Sequence, residues 1–421
     1  MVTAGFIQIF VFIFLTSLVA LITYFKCRGS ERSQNEKKDY FLAGGSLSWA
    51  FVAGSMIMTN ISAEQIVGMN GVQKLLIAWW EIFAALGLVI LARFLIPVYF
   101  KYNCTTTTEL LEHKYKDKGI RSLVSFFFMS GYMFILLPTI LYTGSLFMVS
   151  MFQIEFSLPG LSSITTVACL FTLIGSAYAI FGGLRAIAIS DSFNSLGFFI
   201  LGSIIAFLSL QAISWDFSGI PSERLTLIGD KNSEIPFSTL FTGMIFIQIF
   251  YWGTNMVITQ RALGAKNVRE AQKALYVTAL VKIFVPLLVV LPGVVAFKLY
   301  GDQGDKSYGR LVQDLLPPWL SGAFAAAMVG AVLSSFNSCL NAASALYTCD
   351  IHHNYLNPKA SARFIGTVSS LLFAVVSLSL VPLYENSQSI IGLLQKLNGL
   401  YSMPVLSAFI CAFLFKEIKP S

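Results

Sequence analysis

The sequence is poor in charged residues and in the side chains that most enzymes use for acid–base or metal chemistry. Of its 421 residues only 12% are charged and 3 are histidine, whereas 56% are hydrophobic. A soluble domain carries about 25% charged residues, so a soluble globule could not hide this much apolar surface. The sequence also has no HExxH or GxSxG motif and no cluster of His, Asp and Glu at helical spacing. We therefore predict a polytopic membrane protein that is not an enzyme.

Cysteine is scarce and shows no pattern. The six cysteines form no CxxC motif and fall within apolar runs or at their predicted cytoplasmic ends, at Cys27, Cys104, Cys169, Cys339, Cys349 and Cys411. Disulfides form in oxidising compartments, and metal sites need closely spaced ligands. We expect no disulfide, no structural metal site and no organic cofactor.

Apolar runs long enough to cross a bilayer, about 20 residues each, fill most of the chain. Eleven spans are predicted, at 3–25, 47–70, 75–100, 122–152, 161–181, 186–213, 237–260, 272–298, 320–349, 362–383 and 387–415. The first run is too long for the apolar part of a signal peptide and has no small-residue cleavage site before Lys26. It is expected to remain in the mature protein.

The distribution of Lys and Arg predicts the orientation of these spans. If the N-terminus is outside, the inside connections hold most of the 28 cationic residues, with groups at 26–38, 114–121 and 261–273. An excess of positive charge marks cytoplasmic loops. We predict a multi-pass protein of the cell membrane whose N-terminus is outside and whose C-terminus is cytoplasmic. The net charge of +7 then reflects topology and contact with lipid headgroups, and nucleic acid is not an expected partner.

Two predicted spans are interrupted by polar residues, at 59–65 and at 248–255. A polar break at bilayer depth survives only where protein or a water-filled cavity satisfies its backbone and side chains, so it indicates a binding site. The breaks lie five spans apart, so the two helices enter from opposite faces, as in inverted repeats of five helices. We predict an all-α fold with repeats at 39–215 and 216–421, preceded by a peripheral helix and loop at 1–38.

Five motifs stand out along the chain: DYFLAGGSL at 39–47, NISAEQ at 60–65 with Gly68-Met69, YAIFGGLRA at 178–186, QRALGAK at 260–266, and Ser334-Ser335. Together they resemble the solute:sodium symporter family, especially its bacterial sodium/galactose branch. They follow the family's order from about residue 39 to the end. The resemblance implies the five-plus-five inverted-repeat fold of the leucine transporter, with one extra N-terminal helix, and sodium-coupled transport by alternating access.

The resemblance also implies a solute site. Substrate contacts are expected at Asn60, Gln65, Glu81, Gln248, Lys282 and Gln395, and gating or ring-stacking roles at Met69, Trp80, Tyr251 and Trp252. An ionised Glu81 or Lys282 inside an apolar span costs several kcal/mol. Either sugar hydroxyls or a purely structural ion pair would offset that cost. Trp80, Ala84 and Gln248 stand where the family has tyrosine, serine and asparagine, so the identity of the solute stays open.

A sodium site is implied at the first break. Its expected ligands are the carbonyls of Met58, Ile61 and Ala331 and the hydroxyls of Ser334 and Ser335. Hard oxygen ligands of this kind suit a small cation. Asp191 and Ser338 are candidates for a second ion site or a relay, although Asp191 could also be a residue that snorkels near the cytoplasmic edge. Serines in membrane helices also commonly bond to their own backbone, which is the structural alternative.

The predicted function is therefore a symporter that uses Na⁺ to import a neutral sugar or polyol across the lipid bilayer. Three alternatives remain open: an organic acid or amino acid as the solute, coupling to protons in place of sodium, and a transporter-like membrane sensor.

Overall fold

The structure is a computed structural model that describes residues 2–28, 36–385 and 390–415; the side chains at 2–4, 27–28, 178–183, 390–398, 400 and 401 lie outside its described part. The described chain is helical. Its first ten α-helices are α1 Val2–Arg28, α2 Glu36–Leu42, α3 Trp49–Asn60, α4 Ala63–Val72, α5 Trp79–Ile90, α6 Ile96–Lys101, α7 Glu109–Tyr115, α8 Lys118–Gly131, α9 Leu137–Phe152 and α10 Ser163–Ala212. The others are α11 Ser222–Leu225, α12 Gly243–Gly253, α13 Met256–Leu263, α14 Val268–Phe284, α15 Pro286–Val289, α16 Leu291–Tyr300, α17 Ser307–Leu315, α18 Pro318–Ala345, α19 Ala362–Tyr384 and α20 Ile390–Leu414.

The predicted spans correspond to these helices. Six helical segments of the described chain are long and apolar enough to cross a membrane: Gly5–Lys26, Leu75–Lys101, Lys118–Phe152, Leu184–Ala212, Pro318–Leu356 and Ala362–Tyr384. The segments Val268–Phe284 and Pro286–Tyr300, which meet at an angle of 45°, form a seventh span if counted together. The other four predicted spans are the two broken ones and those at 161–181 and 387–415. The span at 161–181 matches the first part of α10, and the span at 387–415 matches α20.

Prolines explain two irregular turns within the long spans. π-Helical turns at Leu91–Leu95 and Tyr132–Leu136 are followed by helices with Pro97 and Pro138 in their first turn. Proline has no amide hydrogen to donate to the preceding turn, so the hydrogen-bond ladder rearranges just before it. Both spans continue past the irregular turn without losing their apolar character.

The 50-residue helix α10 cannot be straight, because its two parts contact neighbouring turns of α18. A Cβ atom added to Gly175 would lie 2.5 Å from the Phe336 ring, and one added to Gly330 would lie 2.5 Å from Asn194. Phe336 and Gly330 are about 9 Å apart along α18, whereas a straight helix would separate residues 175 and 194 by about 28 Å. The chain therefore bends between the two spans predicted at 161–181 and 186–213.

Both predicted helix breaks are present. The first separates α3 from α4 at Ile61-Ser62, and the second separates α12 from α13 at Thr254-Asn255. At the second break the Asn255 carboxamide accepts the Val257 amide at 3.0 Å and the Tyr132 hydroxyl at 2.7 Å. The Tyr132 oxygen in turn accepts the Met256 amide at 3.1 Å. A helix end buried in a membrane protein needs such partners, since its first amides have none within the helix.

The second part of the first broken helix, α4, is fixed to the bent pair of segments Val268–Phe284 and Pro286–Tyr300. The buried Asn70 on α4 accepts the Gly293 amide, in the first turn of α16, at 2.7 Å through its side-chain oxygen. The Asn70 backbone oxygen accepts the Ser307 hydroxyl at 3.3 Å. There is no room for a side chain at Gly293, because a Cβ atom there would lie 2.2 Å from the backbone oxygen of Asn70. Glycine is thus required for the contact between α4 and α16.

Replacing Gly293 by alanine should therefore destabilise the protein by about 1–3 kcal/mol, the usual cost of overpacking a closed interior. The matched control is Gly131→Ala, because a Cβ atom at Gly131 on α8 meets nothing within 4 Å. This control should be as stable as the wild type or slightly more so, since alanine favours helix. Thermal unfolding in detergent measures both. Equal midpoints for the two variants would contradict the close α4–α16 contact.

Candidate solute and ion sites

A cavity of about 130 Å³ opens beside the two helix breaks. Its lining comprises Asn60, Glu64, Gln65, Met69, Trp80, Glu81, Ala84, Leu136, Ile247, Gln248, Phe250, Tyr251 and Trp252. Eight of the ten residues predicted for the solute site are in this set. The structure therefore brings together side chains from α3, α4, α5 and α12 that are up to 192 positions apart in sequence, from Asn60 to Trp252. Of the other two, Lys282 lies directly behind the wall, and the side chain of Gln395 is outside the described part.

Lys282 is fully buried and pairs with two predicted solute-site residues. Its ammonium donates to the Glu81 Oε2 atom at 2.5 Å and to the Asn60 carboxamide oxygen. The exposed fractions of Lys282 and Glu81 are 0% and 1%. The ammonium also lies 5.4 Å from the centre of the Trp252 ring, within the range of a cation–π interaction. A buried charge of either sign is costly alone, so each of these two residues depends on the other.

Further hydrogen bonds extend this ion pair into a network across five helices. The Gln65 amide on α4 donates to the second carboxylate oxygen of Glu81 on α5. The Asn60 amide at the end of α3 donates to the Tyr251 hydroxyl on α12 at 3.3 Å, and Lys282 on α14 joins the two halves. We call these five side chains, Asn60, Gln65, Glu81, Tyr251 and Lys282, the solute network. It holds the polar face of the cavity in one arrangement.

Gln248 supports the aromatic wall of the cavity. Its amide nitrogen donates to the Trp80 carbonyl at 3.1 Å, and its oxygen accepts the Trp252 indole at 2.9 Å. Tyr251 and Trp252 meet edge to face, with ring centres 5.5 Å apart. Both ends of the Gln248 amide are therefore engaged by protein. Sequence reasoning placed Gln248 at the solute site but did not foresee this supporting role.

Three groups that line the cavity have no hydrogen-bond partner in the described part of the chain. They are the Trp80 indole nitrogen, the Gln65 side-chain oxygen and the Glu64 Oε2 atom. One is a donor and two are acceptors. Buried polar groups are nearly always hydrogen-bonded, so unpaired groups around a cavity indicate a place for a polar ligand. Sequence reasoning did not place Glu64 in the solute site, although it is in the NISAEQ motif.

One of the residues predicted for sodium, Ser335, contacts the helix end at the first break. The Ser335 hydroxyl on α18 donates to the Thr59 carbonyl at 3.1 Å. Met58 and Ile61 are both fully buried at the end of α3, where the last carbonyls of a helix have no amide partner within it. Ala331, Ser334 and Ser335 are buried on the facing turn of α18. The contact between Ser335 and Thr59 thus joins α18 to the carbonyl end of α3.

A buried Arg261 adds a second network that sequence reasoning missed. Its guanidinium donates to the Ser55 hydroxyl at 3.1 Å and to the Ser338 hydroxyl. Ser55 donates to the Asp191 carboxylate at 2.6 Å, and the Ser338 hydroxyl lies 3.3 Å from that of Thr59. We call Ser55, Thr59, Asp191, Arg261 and Ser338 the ion network. The signal was available, since Arg261 is within the QRALGAK motif.

The position of Asp191 corrects one of its two interpretations. Its exposed fraction is 1% and its carboxylate is bonded within the protein. A side chain that snorkels to the cytoplasmic edge would instead reach water. Asp191 is therefore a component of the protein interior beside the predicted sodium ligands. Its helix, α10, contributes no residue to the solute cavity within the described chain.

The solute network and the ion network are joined by a single peptide bond. Thr59 takes part in the ion network and Asn60 in the solute network. Both residues are at the end of α3, immediately before the first break. Any shift of this helix end must therefore move groups in both networks together.

Broken helices that meet beside buried polar networks are typical of membrane transporters. The solved structure of a substrate-bound, outward-open Na⁺-coupled sialic acid symporter is similar, with a TM-score of 0.80 and 17% identity, over 98% of this chain and 87% of that one. The chain has the five-plus-five inverted-repeat fold of the leucine transporter. The model of the sodium:solute symporter family matches residues 40–420.

The chain belongs to the sodium:solute symporter family. It is similar to the uncharacterized symporter YidK of Escherichia coli (strain K12), with 35% identity over 98% of this chain and 75% of that protein. It is also similar to the sodium/glucose cotransporter of Vibrio parahaemolyticus, with 29% identity over 98% of this chain and 81% of that protein. The protein is thus a multi-pass membrane transporter that couples a small solute to Na⁺.

Removing only one charge of the Lys282–Glu81 pair should be costly. Lys282→Met should lower the free energy of unfolding by about 3–5 kcal/mol, because Glu81 is left buried without its cation. The double variant Lys282→Met/Glu81→Gln removes both charges and should recover most of that loss. Thermal unfolding in detergent measures the series. A single variant as stable as the wild type would show that the pair does not hold the helices together.

Proposed function

We propose that the protein imports a neutral sugar or polyol together with Na⁺ by alternating access. The observation that carries the proposal is the cavity itself, where unpaired donors and acceptors lie beside aromatic rings. A polyol presents hydroxyls that both donate and accept, and a pyranose presents an apolar face that packs on an aromatic ring. Trp80, Tyr251 and Trp252 supply the rings, and Gln65 and Glu64 supply acceptors. The name of the Vibrio relative supports the same class of solute.

The charges around the cavity argue against an anionic solute. Glu81 is balanced by Lys282 at 2.5 Å, so this pair contributes no net charge. Glu64 adds a carboxylate to the lining, and no cation lies among the lining residues of the described cavity. An organic acid would find no free cation to pair with there, and an unpaired charge in a desolvated site costs several kcal/mol. A neutral solute with many hydroxyls meets no such cost.

The sodium site is proposed at the carbonyls of Met58, Ile61 and Ala331 and the hydroxyls of Ser334 and Ser335. The contact from Ser335 to the Thr59 carbonyl supports this assignment, because it brings α18 against the carbonyl end of α3. An ion there would draw this end of α3 toward α18. Asn60 is the next residue, so the ion would also set the position of its side chain in the solute network. Asp191 and Ser338 are proposed as a relay at the same end of α3, because the ion network connects them to Thr59.

Coupling in this arrangement is reciprocal. If Na⁺ stabilises the helix end that presents Asn60, it raises solute affinity, and the solute must raise sodium affinity by the same factor. Inward movement of one charge down a potential of ~100 mV supplies about 2.3 kcal/mol. That energy can drive a neutral solute against its gradient.

The proposed topology has the N-terminus outside and the C-terminus in the cytoplasm. The proposed repeats are 39–215 and 216–421, with 1–38 as a peripheral helix and loop. The distribution of cations supports the orientation. The repeats are supported by the positions of the two breaks, which separate α3 from α4 and α12 from α13.

Uptake of radiolabelled sugars into proteoliposomes, with and without an inward sodium gradient, tests the function directly. Accumulation that follows a pH gradient and ignores sodium would contradict it.

Gln65→Ala should reduce sugar uptake at least tenfold, because it removes a cavity acceptor and leaves Glu81 short of one donor. The matched control is Gln272→Ala. Gln272 is also a glutamine on a membrane helix, and among the described residues its amide bonds only the Ala92 carbonyl, at 2.9 Å. The control should transport normally. Equal uptake by the two variants at equal protein amounts would exclude Gln65 from the solute site.

Ser335→Ala should raise the sodium concentration needed for half-maximal uptake, since it removes one hydroxyl ligand from a site made mainly of carbonyls. Ser344→Ala is the control, because Ser344 is a buried serine of the same helix that bonds only the Asn341 carbonyl. Sodium titration of uptake and equilibrium sugar binding at several sodium concentrations measure the effect. Sugar binding that stays constant as sodium rises in the wild type would refute the linkage.

A further inference from the structure

A second cavity, of about 260 Å³, lies between α1, α10 and α18. It shares no lining residue with the solute cavity within the described chain. A water-sized group occupies ~30 Å³, so this cavity has room for roughly nine groups of that size. Its α1 wall consists of residues between Leu15 and Ile22. We call this space the α1 slot.

Small residues create the α1 slot. Its α18 wall runs from Ala323 to Asn337, a distance of about 21 Å along a helix. Ala326 and Gly330 on this wall have little or no side chain, and Gly197 faces them from α10. A Cβ atom added to Gly197 would meet nothing within 4 Å. The slot is therefore long and narrow, with open space at its centre.

The two ends of the slot differ in polarity. α10 runs antiparallel to α18 here, because Phe198 packs on Phe324 with ring centres 6.1 Å apart, while Asn194 contacts Gly330 further along. One end is therefore apolar, with Leu201 and Ala323. The other end is polar, with Ser190, Asp191, Asn194, Ser334 and Asn337.

Three groups in the slot can accept a hydrogen bond and lack a donor. They are the Asn337 carboxamide oxygen and the hydroxyl oxygens of Thr16 and Ser334, which are buried and have no hydrogen-bond partner in the described structure. Asn337 has an exposed fraction of 3%. An unpaired buried acceptor costs free energy that a ligand with an N–H or O–H group would recover. Asp191 adds negative charge at the same end and disfavours an anionic head group.

We propose that the α1 slot binds a single-chain amphiphile whose head group donates hydrogen bonds, such as an alkyl amine or alcohol. The head group lies at Asn337 and Asp191, and the chain extends past Gly197 toward Leu201. The apolar lining disfavours a slot filled only with water, because water needs two to four polar partners. This site shares no lining residue with the solute cavity, whereas its polar end includes Ser334 and Asp191, which also belong to the proposed sodium site and relay. The proposal does not depend on the identity of the transported solute.

The test uses the full chain in lipid nanodiscs with decylamine, 1-decanol and decanoate as probes. These share one chain and differ only in the head group. The amine and the alcohol should raise the midpoint of thermal unfolding, by about 3 °C at a hundred times the dissociation constant. Decanoate should have no such effect. Equal shifts with all three probes, or no shift with any, would overturn the proposal.

Variants separate binding in the slot from partition into the bilayer. Gly197→Leu fills the open space and should abolish the response. Gly131→Leu is the matched control, since a Cβ atom at Gly131 also meets nothing within 4 Å and Gly131 is outside the slot; it should respond like the wild type. Asn337→Leu should raise the half-effective concentration of the amine about tenfold, because it removes one hydrogen bond to a buried acceptor. An unchanged response in Gly197→Leu and Asn337→Leu would show partition alone.

Discussion

The buried ammonium of Lys282 imposes the constraint on which the centre of this structure depends. It has no contact with water, so it must be neutralised within the protein, and Glu81 and Asn60 do so from two other helices. Those two residues then require their own partners, Gln65 and Tyr251. One cation thus determines how α3, α4, α5, α12 and α14 meet. Such pairs contribute modestly to net stability but specify the arrangement strongly, because every alternative leaves a charge unpaired.

The helix breaks turn this arrangement into a site. A continuous helix satisfies its own backbone and offers a ligand only side chains, whereas a broken one exposes carbonyls and amides at bilayer depth. At the second break, Tyr132 and Asn255 satisfy the exposed groups. At the first break, Ser335 satisfies one carbonyl, and the adjacent carbonyls are the proposed sodium ligands. The two breaks are therefore stabilised differently. Protein groups satisfy the break after α12, whereas the proposed ion binds the carbonyl end of α3.

Much of the architecture could be predicted from local pattern. Apolar runs of bilayer length predicted the spans, and polar interruptions within two of them predicted both breaks, because hydrocarbon tolerates few arrangements of the backbone. The resemblance pointed to Asn60, Gln65 and Glu81, which do line one cavity. The partners of these residues were harder to predict. Nothing local shows that Lys282 reaches Asn60 across 222 positions, or that Arg261 binds Ser338 and Ser55 from a third helix.

The sequence by itself determined the class of environment, the order of the apolar helical segments, and the positions of the two breaks. These follow from hydropathy and from the cost of unpaired polar groups in lipid, which depend on residue type alone. Only the tertiary structure decided which buried charges pair, that Asp191 is interior rather than snorkelling, and that Gln248 supports the aromatic wall. It also decided where empty space remains, in the solute cavity and under α1. Those outcomes depend on distances between helices, and such distances result from packing the whole chain at once.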